Sequence, residues 1–131
     1  MRLLLDTHVW VWSVSARQRL TRRVVSLLES PRSELWLSSA SVWELQVLAA
    51  KGRIRLGLPA DLWMENAFKE LPIQDAPITR EVALESQRIT LTTNDPADHF
   101  IAATARVYDL TLVTGDAALV SCKGITAIPN R

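Results

Sequence analysis

"LLLDTHVW", residues 3–10, decides the fold of this 131-residue chain. Three consecutive leucines are too few for a helix and lack a polar alternate, the pattern of a short strand covered on both faces, as in a parallel sheet. They run into Asp6, and residues 7–14 read as the start of a helix. An acid at a strand end is either a cap for the next helix or a piece of chemistry, and the other strand ends bear on which.

The same order recurs along the chain. "TRRVVSLLES" (21–30) puts Val24, Val25, Leu27 and Leu28 at helical spacing ahead of Pro31, and "LWLS" (35–38) reads as a second buried strand. "SVWELQVLAAKG" (41–52) is helical, with Gly52 as its stop and Ser41 and Glu44 in capping-box spacing at its start. "ADLWMENAFKE" (60–70) and "TREVALESQRI" (79–89) are further helices, with "LPI" (71–73) as a short strand between them. "DPADHFIAATARVY" (95–108) is a helix with Asp95 as N-cap, expected to bond the N–H of Asp98, and Pro96 at the first position. "LTLVTGD" (110–116) and "ITAIP" (125–129) close the chain as strands. Strands alternating with helices imply an α/β domain, a parallel sheet with helices on both faces, and one domain over residues 1–131.

Composition excludes several classes. The chain is 48% apolar and 22% charged, with no apolar run near the roughly 18 residues of a membrane span. A chain of this length buries roughly 68% of its unfolded surface, so it needs no disulfide or structural metal. The start resembles no secretory signal, and the single cysteine, Cys122, allows no internal disulfide; a reducing, cytoplasmic setting is expected, with Cys122 as a partly buried, inert thiol. Fifteen basic against fourteen acidic residues announce no nucleic-acid binder, so any basic surface is local.

Ligands of open parallel sheets bind beyond the carboxyl ends of the strands. Asp6 ends the first strand, Glu44 lies in the first turns after the second, Asp116 ends "LTLVTGD", and Asp98 lies in the first turn of the "DPAD" helix. Each acid alone is sufficiently explained as a cap or turn residue. Together at one sheet end they repel by as much as about 4 kcal/mol per pair at 4 Å. A hard divalent cation, Mg²⁺ or Mn²⁺, offsets that repulsion through oxygen ligands.

These stretches resemble the PIN-domain ribonucleases, specifically the VapC-type toxins of toxin–antitoxin pairs. "LLLDTHVWVW" is similar to their opening strand and first acid, "LSSASVWEL" to the glutamate segment, "DPADHFIAATA" to the third-acid segment and "LVTGDAAL" to the Thr-x-Asp segment. The resemblance implies a PIN-like three-layer α/β/α fold with a short, mainly parallel sheet. It implies Asp6, Glu44, Asp98 and Asp116 as catalytic metal ligands, Thr114 as support through its hydroxyl and Asp95 as an outer residue. His99 departs from the pattern, standing where many relatives carry arginine.

The implied activity is Mg²⁺- or Mn²⁺-dependent hydrolysis of RNA phosphodiesters, in which bound metal lowers the pKa of a water and neutralises charge on phosphate. The implied partners are RNA, a second copy of the chain, and a small antitoxin that places an Arg or Lys among the acids. Because the acids repel a polyanion, RNA needs cations at the rim. "RQRLTRR" (Arg17, Arg19, Arg22, Arg23) and "KGRIR" (Lys51, Arg53, Arg55) are the candidates, though each also reads as a solvated helix end. Trp36 and Trp43 fall in the apolar pattern and are expected in the core. Trp10 and Trp12, two apart, cannot share a helix face, so one of them is expected at a partner surface. His8 and His99 lack zinc-site spacing.

Other classes fit less well. A phosphoreceiver wants an adjacent acidic pair after its first strand and a late lysine, whereas this chain has Asp-Thr-His and Thr-Gly-Asp. A dehalogenase-type phosphatase wants a second Asp where His8 stands. A silent interaction module would have no use for four acids at one sheet end.

Overall fold

A computed structural model describes all residues, 1–131. Five strands, β1 (Arg2–Leu5), β2 (Glu34–Ser38), β3 (Gln74–Ala76), β4 (Thr111–Thr114) and β5 (Thr126–Pro129), form one sheet in the order β3-β2-β1-β4-β5. Every pairing is parallel. The seven helices are α1 (Thr7–Ser15), α2 (Arg22–Glu29), α3 (Ser39–Ala50), α4 (Ala60–Glu70), α5 (Arg80–Ser86), α6 (Pro96–Val107) and α7 (Ala117–Val120).

The leucine run does what its pattern requires. Leu3 and Leu5 point into one core, with Val9, Trp10, Val24, Trp63 and Met64 from α1, α2 and α4. Leu4 points into the other, with Val82, Ile101, Ala102 and Ala105 from α5 and α6. All three leucines are fully buried, since side chains alternate across a sheet that is covered on both sides.

Chain order reverses at β1: β2 pairs with one edge and β4 with the other, with Leu5 opposite Val113. The carboxyl ends of β1 and β4 therefore flank the topological switch point, where crevices form in such sheets. Asp6 and Asp116 follow those two strand ends.

Four local expectations need correcting. The strand expected at 71–73 forms at Gln74–Ala76, because Leu71 caps α4 and is buried in the first core, leaving the more polar residues to pair with β2. Helix α3 begins at Ser39, and its cap is Ser38, which accepts from the Ala40 N–H at 3.0 Å; Ser41 and Glu44 form no capping box. Trp43 is 53% exposed, because Leu45 holds the core-facing side of α3 and a residue two positions away lies about 200° around the helix. Trp10, one of the pair expected to supply a surface aromatic, is fully buried against Trp63 and Phe68.

Candidate metal centre and its cavity

Asp6 is both cap and site residue. Its Oδ1 accepts from the Thr7 N–H at 2.8 Å, starting α1, and its Oδ2 accepts from the Thr114 hydroxyl at 2.6 Å. The Thr114 oxygen accepts in turn from the Asp116 N–H at 3.0 Å, and Asp116 caps α7 by accepting from the Ala118 N–H at 2.8 Å. One hydroxyl thus couples the ends of β1 and β4. On the far side, the Thr7 hydroxyl donates to Ser41 of α3 at 3.0 Å, tying the Asp6 helix to the helix that carries Glu44.

Asp95 caps α6, but through the Ala97 N–H at 3.0 Å instead of the expected Asp98 N–H. Position 98 lies one turn further on the same face, so both acids of "DPAD" turn toward the strand ends. Carboxylate oxygens of Glu44, Asp95 and Asp98 lie within 4.8 Å of one another. Asp6 and Asp116 line the same cavity, of about 1080 Å³. The structure therefore brings the four acids singled out in sequence to one place and adds Asp95 to their innermost group. That addition was legible in principle, since an N-cap and the residue three positions on share a face.

Burial grades the group: Asp6 and Asp98 are buried, Glu44 is half-buried, and Asp95 and Asp116 are exposed. Desolvation raises the Asp6 carboxyl above its ordinary range against the bonds from Thr114 and Thr7, which favour the charged form. It raises Glu44 as well, with Thr7 opposing and Asp6 and Asp95 reinforcing. Asp98 is displaced furthest, to about 7, by burial and then by Asp95, Asp6, Asp116 and Glu44, with no hydrogen bond to offset them. Buried charge of one sign with unfilled acceptor capacity calls for a cation.

The two basic stretches divide. Arg19, Arg53 and Arg55 line the cavity. Arg17 is held elsewhere, donating to the Ser13 carbonyl at the end of α1 and pairing with Glu29 at 3.0 Å. Arg22 and Arg23 are exposed on α2, Lys51 caps the carboxyl end of α3, and none of the three lines the cavity. Sequence reasoning did not place His8, Trp12 and Asn130 at this site, yet all three line it. His99 points away, its ring bonded to the Thr93 carbonyl at 2.9 Å. Cys122 is buried and its thiol is raised by that burial, matching an unreactive cysteine. No helix is long and apolar enough to cross a membrane.

The PIN domain family model matches residues 3–123. Ribonuclease VapC22 of Mycobacterium tuberculosis is 33% identical over 120 residues, covering 91% of this chain and 90% of that protein. Among solved structures, a chain of VapBC2 from Rickettsia felis bound to a DNA fragment from their promoter superposes with a TM-score of 0.73 at 15% identity, over 98% of both chains. A chain of FitAcB from Neisseria gonorrhoeae superposes at 0.61 with 24% identity, over 98% of this chain and 97% of that one. A family match spanning the whole sheet and every acid of the cavity makes this chain a member of the PIN-domain family.

Proposed function

We propose that the chain is a divalent-metal-dependent endoribonuclease that acts in the cytoplasm as the toxin of a toxin–antitoxin pair. The observation that carries this reading is the carboxylate group of Glu44, Asp95 and Asp98, joined in one open cavity by Asp6 and Asp116, in a PIN-domain chain. The fit to a hard cation rests on the donors: oxygen only, acidic, partly desolvated, and without protein donors around Asp98. Asp6, Glu44, Asp98 and Asp116 would hold Mg²⁺ or Mn²⁺, with Asp95 beside them. The cation supplies activation of water and neutralisation of charge building on the phosphate.

The chain's own residues do the rest. Thr114 fixes one Asp6 oxygen by a short hydrogen bond and so orients the carboxylate. Thr7 and Ser41 set the distance between α1 and α3, hence between Asp6 and Glu44. A carboxylate not fully committed to metal accepts the proton of the attacking water, and raised basicity at Asp98 suits it to that task. Water adds across one P–O bond, leaving a phosphate monoester on one fragment and a hydroxyl on the other.

RNA is steered by the basic rim. Arg53→Gln and Arg55→Gln together should weaken RNA binding and lower the slope of log affinity against log salt by roughly two, one per lost phosphate contact. Arg17→Gln should leave that slope unchanged, because Arg17 is spent on Ser13 and Glu29. A titration of RNA binding at several salt concentrations reads both.

VapBC and FitAcB are solved as complexes, as is a toxin–antitoxin complex from Klebsiella pneumoniae, which supports an antitoxin partner for this chain. An acidic cavity with an arginine rim accepts a cationic side chain from such a partner as a plug. We also infer a homodimer; Trp43, exposed on α3, is available for it where the buried Trp10 is not. Light scattering that gives a strict monomer at high concentration removes the dimer.

The test of the activity is cleavage of a mixed RNA pool. Mg²⁺ or Mn²⁺ should support it, and EDTA should abolish it. Equal cleavage with and without EDTA, or none under any metal, overturns the reading.

A further inference from the structure

The cavity is larger than a metal centre requires, and its walls differ in chemistry. The acids occupy one part, while Trp12, Ala16 and Ile54 are its apolar lining. Trp12 is half-buried at the end of α1, one part of it packed on the core. The Arg19 guanidinium lies over its ring, 5.4 Å from the centroid, and His8 lies 5.6 Å away, tilted by 52°. All three line the cavity with the acids. Aromatic rings and guanidinium planes are the surfaces on which unpaired bases stack, and neither repels a polyanion as the carboxylates do.

Arg19 does not sit there by chance of a loose loop. It ends a short 3₁₀ turn, Arg17–Arg19, whose far side is pinned by Asn130. The Asn130 Nδ2 donates to the Arg19 carbonyl at 3.1 Å, and its Oδ1 accepts from the Thr21 N–H at 2.8 Å. The Asn130 backbone N–H donates to the Thr114 carbonyl at 2.8 Å, on the strand whose hydroxyl holds Asp6. A side chain more than a hundred positions away in sequence thus sets the register between the Trp12–Arg19 layer and the acidic group.

We propose that Trp12 and Arg19, registered on the acidic group by Asn130, form a subsite for one unpaired nucleobase of the RNA beside the cleaved phosphodiester. This rests on the ribonuclease reading and deepens it: the substrate class is single-stranded RNA, and position along the strand is set by stacking. Trp12 and Arg19 contact the base; Asn130 is a positioning residue.

The experiment uses an RNA oligonucleotide with one mapped cut site, and a series in which a single abasic nucleotide is walked along the strand. With the native chain, loss of the base at one fixed offset from the cut should raise KM about tenfold, the weight of one stacked base, and the same strand held in a duplex should be cut poorly. Trp12→Leu should raise KM by a similar factor on the intact strand and lose the offset dependence, with kcat within about twofold. Since Trp12 also packs on the core, Arg19→Gln, on an exposed side chain, is the second variant and should move KM the same way by a few-fold. Asn130→Ala should raise KM, and combined with Arg19→Gln it should add little, whereas a residue serving only stability would add in full. A native-like KM and unchanged abasic offset in both Trp12→Leu and Arg19→Gln overturn the subsite while leaving the ribonuclease standing. A native chain that neither binds nor cuts any RNA overturns both.

Discussion

Asp98→Asn should give a protein that melts higher than the native chain in EDTA and no longer cuts RNA. Asp98 is buried, accepts no hydrogen bond that favours its charged form, and faces four other carboxyls. Asparagine keeps the shape and removes the charge. The full cost of holding that carboxylate ionised, at about 1.36 kcal/mol per unit of displacement, has an upper bound of about 4 kcal/mol. If half is realised, the metal-free melting temperature rises by about 5–10 °C for a domain of this length. Activity should fall by a factor on the order of 10³, as when a group stabilising transition-state charge is lost. Mn²⁺ should raise the melting temperature of the native chain by mass action and that of the variant much less. Melting curves with EDTA and with Mn²⁺, beside cleavage of one RNA pool, read every part of this. A variant that melts lower in EDTA, yet cuts at the native rate, would show Asp98 to be structural.

The same carboxyl sets a pH dependence of unusual sign. Asp98 titrates near 7 in the folded chain and at the ordinary 3.8 when unfolded, so between about pH 4 and 7 the folded state binds more protons. Stability of the metal-free protein then falls as pH rises through that window, the reverse of a carboxylate in a salt bridge. Ion-paired acids elsewhere, such as Glu29 with Arg17 and Glu85 with Arg88 and Arg106, act in the opposite direction. The difference between native and Asp98→Asn stabilities isolates the term: it should be small near pH 4 and grow toward pH 7.5. A difference independent of pH would contradict the raised Asp98 value.

The sheet and its acids were legible because each depends on local pattern. Leu3, Leu4 and Leu5 announce a doubly covered strand whatever else the chain does, and a short polar or acidic residue after such a strand must lie at its carboxyl end. What was not legible depends on contacts between distant segments. β3 carries "QDA", with no apolar alternation of its own, and is a strand only because β2 offers it an edge. Trp43 sits on a helix that is apolar on more than one side, so periodicity could not tell its core face from its open one. Arg17 and Arg19 are two positions apart in one basic run, yet one closes a helix end and the other faces the cavity. Asn130 reads as a polar residue in a tail, and only the folded chain places it between Arg19, Thr21 and Thr114.

Asp6→Asn should also abolish cleavage, but with a smaller gain in metal-free stability than Asp98→Asn. The two acids are equally buried and both are raised by desolvation, so charge removal relieves both. They differ in their partners. Asn at position 6 can still accept from the Thr7 N–H, and asparagine caps a helix about as well as aspartate, so α1 keeps its start. The other carboxylate oxygen accepts from the Thr114 hydroxyl, and an amide NH₂ there faces a group that was itself donating. The Thr114 oxygen already accepts from the Asp116 N–H, so its proton is left without a partner or the hydroxyl must turn, at a cost of about 1–3 kcal/mol. Asp6→Asn/Thr114→Val removes that orphaned hydroxyl and should recover part of the loss while remaining inactive. Melting temperatures in EDTA should therefore rank Asp98→Asn above Asp6→Asn, and both variants should lose most of the Mn²⁺-induced rise. An Asp6→Asn protein that cuts RNA at the native rate with the full metal response would leave Asp6 as the cap of α1 and nothing more.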